Sequence, residues 1–151
     1  MIKTISAKNL KEIYELVNRD KFICKQFSQL GWSKNNLISH LNNGICSSIG
    51  FYKNQCLIGF LLGSLLISNN FSEFEILYIY VCPNNRKKGY ASEMLRYIEL
   101  KKIKKPGQVT LEVSESNIYA INFYHKNYYK KKNTRYNYYL NDQGSKTNAI
   151  V

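Results

Sequence analysis

The sequence contains no apolar run long enough to cross a membrane. The longest, CLIGFLLGSLLI at residues 56–67, is interrupted by Gly59, Gly63 and Ser64, whereas a spanning helix needs about 20 apolar residues. This run is therefore expected to form a buried strand. The first residues, MIKTISAKNLKEI, also lack the apolar core and small-residue cleavage site of a secretory signal. We therefore expect a cytoplasmic protein that makes no membrane contact.

Patterns for metal sites and disulfide frameworks are absent as well. Four cysteines are scattered along the chain without any C-x-x-C pair: Cys24, Cys46, Cys56 and Cys82. The two histidines, His40 and His125, lie far apart in the sequence, and no zinc template fits. We therefore predict no metal site and four reduced thiols. A catalytic cysteine would need a partnered histidine, which the sequence does not identify.

Acidic residues are few: the chain has 10 Asp and Glu against 22 Lys and Arg, a net charge of +12. Such an excess suits an anionic partner, which can be a nucleic acid, a membrane surface or a phosphorylated cofactor. Charge alone does not choose among these, because a compositionally biased genome gives the same excess. With 44% hydrophobic residues in 151, the chain can bury a sizeable core. One domain over residues 1–151 is expected.

Two helices are predicted in the first third of the chain, after a short alternating strand at MIKTIS. In SAKNLKEIYELVN the apolar residues recur every three or four positions behind Ser6, whose side chain can cap a helix. The second helix follows Ser33 in GWSKNNLISHLNNG and is expected to end by Gly44.

From Ile45 the apolar period changes to two, which is typical of strands. ICSSIGFYK and CLIGFLLGSLL, joined by a turn at KNQ, predict an antiparallel hairpin, and FEILYIYVC predicts a third strand ended by Pro83. A helix over residues 90–104, a strand at QVTLEV, a helix capped by Asn117 and two strands after Tyr128 follow. This order predicts an α/β fold with a mixed, mostly antiparallel sheet and about four flanking helices.

The segment VCPNNRKKGYASEML at residues 81–95 joins the third strand to a helix through a basic loop. At such a junction several backbone N–H groups and the positive end of the helix dipole point to one place, which suits a phosphate or pyrophosphate. Gly89 permits a positive φ, and Arg86, Lys87 and Lys88 add charge. The spacing matches neither the Walker motif nor the dinucleotide fingerprint G-x-G-x-x-G.

The segment FEILYIYVCPNNRKKGYASEML resembles the acetyl-coenzyme A signature of the GNAT acetyltransferases, whose loop follows Q/R-x-x-G-x-G/A, here Arg86, Gly89 and Ala91. Further segments are similar, in order and spacing, to the ribosomal-protein-alanine N-acetyltransferase (RimI-like) branch of that family: GWSKNNL, LEVSESNIYAINFYHKNYYKK, RYNYY and NAIV. The resemblance covers nearly the whole chain. It implies a GNAT-like fold, acetyl-coenzyme A as cosubstrate, and the N-terminal alanine of a small-subunit ribosomal protein as acceptor.

The resemblance also implies roles for individual residues. Glu112 is the implied general base, which is needed because an α-amino group is mostly protonated at neutral pH. Tyr124 is the implied general acid for the leaving thiolate. The implied coenzyme contacts are Ile79, Tyr80, Val81, Arg86, Lys87, Lys88, Gly89, Tyr90, Ala91, Ser92 and Asn117. The implied substrate contacts are Trp32, Tyr138 and Glu75, although Glu75 can equally be a plain exposed carboxylate.

A backbone N–H at residues 79–81 could stabilise the oxyanion of the acyl-transfer step, provided that the strand bulges there. Two positions depart from the branch pattern: Arg86 stands where Gln is common, and Asn148, near Val151, stands where a carboxylate is usual. Because this tail lies near the peptide site in the family, the departures concern the substrate sequence and leave the acetyl transfer unaffected.

Two other functions remain open. The same reaction could serve a lysine side chain, a polyamine or an antibiotic amine, although a basic chain is a poor match for cationic small molecules. The stretch HKNYYKKKNTRYNYY could bind nucleic acid through its cations and tyrosines, but its alternation fits an edge hairpin equally well and no known RNA- or DNA-binding motif is present. A weak ribosome or RNA contact could coexist with an enzyme, expected as a monomer or weak dimer.

Overall fold

The computed structural model describes residues 1–104, 106–140 and 144–151. They form two compact units, Met1–Val109 and Thr110–Val151. Within the described residues there are five α-helices: α1 (Leu10–Asn18), α2 (Lys21–Gln29), α3 (Lys34–Leu41), α4 (Tyr90–Tyr97) and α5 (Ile118–Lys126). The strands are β1 (Ile2–Thr4), β2 (Ile49–Lys53), β3 (Cys56–Ser68), β4 (Phe71–Val81), β5 (Gly107–Leu111), β6 (Val113–Ser114), β7 (Thr134–Leu140) and β8 (Lys146–Ile150).

One sheet runs in the order β1-β2-β3-β4-β5, and the first three neighbouring pairs are antiparallel. β2 and β3 form the predicted hairpin, with Asn54 and Gln55 at φ values of 48° and 64° in the turn. Two successive residues with positive φ match the twist of the strands that they join, and Asn is the residue type that tolerates this best after glycine. The predicted α/β class and the mostly antiparallel sheet are thus confirmed.

A core cluster of the first unit joins helices α1, α2 and α3 to this sheet. Ile13 and Leu16 of α1, Phe27 of α2 and Leu37 of α3 are almost fully buried in one cluster with Phe60 of β3. Burial of each such side chain stabilises the fold by about 1.5–3 kcal/mol. The apolar stripe that the sequence predicted for α1 therefore faces the core.

Helix α2 was not predicted, so three helices precede β2 where the sequence indicated two. Asp20 caps it, since its Oδ1 accepts hydrogen bonds from the backbone N–H groups of Phe22 (2.9 Å) and Ile23 (3.3 Å). Only Ile23 and Phe27 are buried, and Phe22 is 69% exposed. Two buried positions in nine residues give a weak periodic signal, which explains why the pattern was missed.

The ends of two predicted helices also differ. α3 begins at the Ser33 cap as expected, with Ser33 Oγ 3.2 Å from the Asn36 nitrogen, but ends at Leu41 instead of reaching Gly44. α4 ends at Tyr97 and continues as a π-helical turn, Ile98–Lys102, instead of running to residue 104 as α-helix. Local wide turns of this kind are not marked by a specific residue type.

β4 contains a bulge, but not at residues 79–81. Leu62 pairs with Tyr78 and Gly63 pairs with Ile76, so Leu77 is the extra residue, while pairing at residues 79–81 is regular. The condition for an oxyanion contact at residues 79–81, a bulge at that place, is therefore not met. Gly63, on the neighbouring strand, marks the bulge: a Cβ there would collide with the ring of Phe74, so this position of β3 favours glycine.

The second unit holds a three-stranded sheet in the order β6-β8-β7, and both pairs are antiparallel. The predicted pair of strands after Tyr128 is confirmed as β7 and β8. Helix α5 starts at the predicted cap, where Asn117 Oδ1 accepts from the Ala120 nitrogen at 3.1 Å. None of the helices in the described part of the chain is long and apolar enough to span a membrane.

Candidate active site

The loop after β4 is held in shape by its own backbone and by one cation. The Asn85 nitrogen donates to the Cys82 oxygen (2.9 Å) and the Arg86 nitrogen to the Pro83 oxygen (3.1 Å), which closes a tight turn. The side chain of Arg86 folds back, and its Nε donates to the Val81 oxygen at 2.8 Å. Because the Arg86 guanidinium is fixed to the end of β4, its first role is to shape the loop.

Gly89 stands where this loop becomes helix α4. Its φ is +86°, and a Cβ built there would meet no atom within 4 Å, so glycine is required by backbone conformation and not by crowding. The first N–H of α4 with a protein acceptor is that of Glu93, which donates to the Gly89 oxygen at 2.9 Å. In the described part of the chain, the N–H groups of residues 89–92 have no protein acceptor.

These N–H groups lie at the corner where the sequence predicts that an anion binds. They lie at the positive end of the α4 dipole, which favours negative charge there. The Tyr90 ring packs on Phe51 of β2 at 4.7 Å between centroids and so fixes the start of the helix to the sheet. Lys88 is exposed, and its Nζ donates to the Asn84 oxygen at 2.7 Å.

The predicted coenzyme contacts on β4 can act only in part through side chains. Tyr80 and Val81 are buried, so their side chains are not available to a ligand. The Arg86 guanidinium lies 5.6 Å from the centre of the Tyr80 ring, a favourable cation–π distance. Ile79 is half-buried, and its backbone pairs regularly with β3, as do the residues on either side of it.

In the second unit, Glu112 lies between β5 and β6 and is surrounded by partners from β7. Arg135 Nη1 lies 2.7 Å from its Oε1, and the Glu112 side chain is only 19% exposed. The Tyr138 hydroxyl donates to Glu112, and this hydrogen bond is the main reason that the pKa of Tyr138 is raised, followed by burial and the Glu112 charge. Arg135 also lies 5.3 Å from the Tyr138 ring centre. Arg135 and Tyr138 therefore hold the Glu112 side chain in place.

Tyr124 on α5 keeps its phenolic proton at neutral pH. Burial raises its pKa above the ordinary 10.0, and the neighbouring Tyr139 raises it further. Its ring contacts Phe123 and Tyr129 at centroid distances of 5.1 Å and 5.7 Å. Burial, and then the charge of Glu112, raise the pKa of Tyr139 to about 12. The second unit therefore holds the Glu112 carboxylate and several phenols whose pKa values are raised.

Two other predicted contacts lie in the first unit. Trp32 stacks on Phe27 at 6.0 Å and meets His40 edge-on at 5.5 Å, so its ring is partly a core element. Glu75 is exposed on β4.

Asn117, a predicted coenzyme contact in the second unit, caps α5 through its Oδ1, which leaves its amide N–H₂ group for other contacts.

Arg135 was not among the predicted site residues. It is the first residue of the quoted RYNYY segment, and its place beside three tyrosines was its only signal.

The departure at Asn148 has a local cause. Its Nδ2 donates to Glu115 Oε2 and its backbone nitrogen to Glu115 Oε1, both at 3.1 Å. Its Oδ1 accepts from the Asn137 nitrogen at 3.0 Å. A carboxylate at this position could not donate to Glu115 and would repel it, so an amide fits where the branch usually has an acid.

The donor set suits a diphosphate and an acyl-transfer reaction. The free N–H groups of residues 89–92, with no Cβ at Gly89, fit a pyrophosphate such as that of acetyl-coenzyme A. Among the described residues, no group of His, Cys, Asp and Glu side chains is arranged to hold a metal ion.

Comparison with known proteins agrees with this chemistry. The model of the acetyltransferase (GNAT) family matches residues 10–128. No curated protein matches the chain by sequence.

Solved structures with the same fold span nearly the whole chain. The ribosomal-protein-S18-alanine N-acetyltransferase from Escherichia coli is 22% identical, with a TM-score of 0.79 over 99% of this chain and 89% of that one. Arabidopsis thaliana NAA60, in complex with a bisubstrate analogue, is 18% identical, with a TM-score of 0.72 over 99% and 94%. A spermidine N-acetyltransferase chimera from Vibrio cholerae SpeG and hSSAT is 16% identical, with a TM-score of 0.69 over 99% and 92%. At these identities the likeness establishes the fold.

Proposed function

The chain belongs to the acetyltransferase (GNAT) family, and from this premise we propose that it acetylates the N-terminal α-amino group of a protein. The proposed acceptor is the N-terminal alanine of a small-subunit ribosomal protein, in the cytoplasm, where such proteins are made. The main observation in support of acetyl transfer is the set of free backbone N–H groups at residues 89–92. Support for an N-terminal acceptor comes from the fold shared with the E. coli enzyme named for a ribosomal-protein alanine.

The first unit supplies the coenzyme-binding groups in this proposal. The N–H groups of residues 89–92 hold the pyrophosphate of acetyl-coenzyme A, and backbone atoms at residues 79–81 contact the pantetheine arm. Arg86, tied to the Val81 oxygen, keeps the loop in the shape that this requires. Lys87 and Lys88 contribute long-range attraction, since both are exposed. Asn117 of the second unit contributes its amide group.

Glu112 accepts the proton of the acceptor ammonium, directly or through a water. An ionised carboxylate has about four acceptor positions, and the bonds from Arg135 and Tyr138 account for two of them. Those two bonds fix the carboxylate and leave capacity for the incoming amine. We therefore assign Arg135 and Tyr138 to positioning Glu112, with Tyr138 also placed beside the substrate.

Tyr124 donates a proton to the leaving thiolate of the coenzyme. A general acid must keep its proton until the bond to sulfur breaks, and the raised pKa of Tyr124 ensures this at neutral pH. Trp32 and Glu75 are proposed to contact the acceptor peptide, with Glu75 offering a carboxylate to its cationic groups.

The test is acetylation of three acceptors by the purified chain with acetyl-coenzyme A, followed by mass spectrometry. One acceptor is a lysine-free peptide that begins with the alanine of the ribosomal protein, the second is a lysine peptide with a blocked N-terminus, and the third is spermidine. We expect the mass of one acetyl group on the first only. Modification of the lysine peptide or of spermidine alone would replace the proposed acceptor with the alternative amine.

A further inference from the structure

A histidine, a cysteine and a serine to which the proposed acetyl transfer gives no role meet near the start of β2. Cys46 Sγ lies 3.5 Å from His40 Nε2 and 3.3 Å from Ser48 Oγ, and His40 Nε2 lies 3.0 Å from the same Ser48 Oγ. Ser48 is fully buried and also accepts a hydrogen bond from the Gly63 nitrogen at 3.1 Å. Residues from α3, from the segment before β2 and from β3 thus hold the three side chains together.

Cys46 is both reachable and activated by these neighbours. Its residue is partly exposed, and its backbone forms an isolated bridge with Ser64 of β3. Partial burial raises the pKa of the thiol, but the hydrogen bonds that Cys46 forms with His40 and Ser48, together with the charge of His40, outweigh burial and lower the pKa from 9.0 to about 7. Among the described residues, the titratable side chain that affects the pKa of Cys46 is that of His40. The other thiols have different surroundings: Cys24 donates to Asn18, Cys82 accepts from Asn85 Nδ2, and Cys56 is exposed.

We propose that Cys46 is a modification site, a thiol activated by His40 that exchanges with low-molecular-weight disulfides. The Cys46 thiolate attacks one sulfur of the disulfide and forms a new S–S bond with it, while the second sulfur leaves as a thiolate. The small disulfide is the only oxidant, and no other electron acceptor is required. The inference is independent of the acetyl transfer proposed above.

The tryptophan of the chain provides a local reporter for this step. Trp32 is the single tryptophan, and its ring meets the His40 ring edge-on at 5.5 Å. A mixed disulfide on Cys46 removes the thiol from its place beside His40 and adds bulk there. The fluorescence of Trp32 is therefore expected to change as Cys46 is modified, and a Cys46→Ser variant should show no change.

The decisive experiment measures the rate at which oxidised glutathione modifies each cysteine of the full chain between pH 5.5 and 10, by peptide mass spectrometry. We expect the Cys46 rate to reach half its maximum near pH 7, the pKa of its thiol, and its profile to differ from that of the exposed Cys56, which is not bonded to His40. His40→Gln should move the Cys46 midpoint upward by about one pH unit or more, because the hydrogen bond and charge of the imidazole are lost.

The chain offers a matched control in its second histidine. His125→Gln, which changes an exposed histidine of the second unit, should leave the Cys46 profile unchanged. Coincident profiles for Cys46 and Cys56 in the wild-type chain would overturn the proposal, as would an unchanged Cys46 midpoint in folded His40→Gln. The wild-type comparison decides the matter even if the variant does not fold.

Discussion

The two compact units of this chain present functional groups of different kinds. In Met1–Val109 the candidate anion site consists of backbone N–H groups behind Gly89, and the nearby cations shape the loop. In Thr110–Val151 the candidate chemistry depends on side chains, with Glu112 held by Arg135 and Tyr138. A site made of backbone N–H groups tolerates most side-chain substitutions but not a residue that cannot adopt the required φ. A site that depends on a carboxylate loses its proton acceptor when one oxygen is replaced by nitrogen, as in Glu→Gln. Substitutions in the two units should therefore separate coenzyme affinity from turnover.

The largest effect is expected for Glu112→Gln. An amide of the same shape cannot accept the proton, so kcat should fall by about a hundredfold or more, while the Kd for acetyl-coenzyme A stays nearly unchanged. Steady-state kinetics and calorimetric titration measure the two quantities. Glu115→Gln, which alters the nearby carboxylate bonded to Asn148, is the matched control and should stay within a few-fold of wild type. An unaltered kcat in Glu112→Gln would remove Glu112 as the base.

Tyr124→Phe should lower kcat by about a hundredfold through loss of the general acid. Because the pKa of Tyr124 is raised above its ordinary 10.0, this group stays protonated, and its titration should cause no loss of activity below pH 10. Tyr119→Phe is the control, since Tyr119 lies on the same helix and is 92% exposed. Equal rates for the two phenylalanine variants would contradict the role of Tyr124.

Arg135→Gln should reduce kcat by between about ten- and a hundredfold, because a displaced carboxylate is a poorer base. Arg135 is 55% exposed, so the loss in unfolding free energy should stay below about 1 kcal/mol. Arg135→Lys keeps a cation near Glu112 and should restore part of the rate. The thermal midpoints of Arg135→Gln and Arg135→Lys show whether either variant has unfolded. If both variants lose the same activity because they are unfolded, the loss is structural and the positioning role would be rejected.

Gly89→Val should weaken acetyl-coenzyme A binding by about tenfold, since a β-branched residue at this φ costs about 1–2 kcal/mol. At saturating coenzyme kcat should be nearly unchanged. Gly44→Val is the matched control: a Cβ at Gly44 also meets no atom within 4 Å, but its φ lies outside the positive range. Equal Kd values for the two variants would show that the conformation of residue 89 does not matter for binding.

The smallest effect is expected for Lys88→Ala. The Lys88 ammonium is exposed and already bonded to the Asn84 oxygen, so the Kd for acetyl-coenzyme A should rise by less than about threefold at physiological salt. The difference should shrink further at high salt. A loss larger than that of Gly89→Val would show that side-chain charge, and not the backbone, holds the anion.

Features that depend on neighbours in the sequence could be predicted. Ser33 and Asn117 cap helices that begin within three residues of them, and Gly89 marks a left-handed residue at a helix start. The β2–β3 hairpin follows from a turn between two alternating runs. Each of these signals is local, so no tertiary information is required.

Features that join distant residues could not be predicted from pattern alone. Glu112 and Arg135 meet only through strand packing, and the β4 bulge at Leu77 is marked by Gly63 on the neighbouring strand. The Cys46–His40 contact was missed for the same reason, since the sequence shows only scattered cysteines and two separate histidines. Helix α2 buries two residues, too few for a periodic signal.

The central claim is that the backbone behind Gly89 binds acetyl-coenzyme A, and residue-resolved amide exchange tests it most directly. Exchange of the N–H groups of residues 89–92 would be followed by NMR with and without acetyl-coenzyme A. We predict that these amides, which have no protein acceptor, become strongly protected when the coenzyme is added. Saturating acetyl-coenzyme A that leaves their exchange rates unchanged would contradict the account.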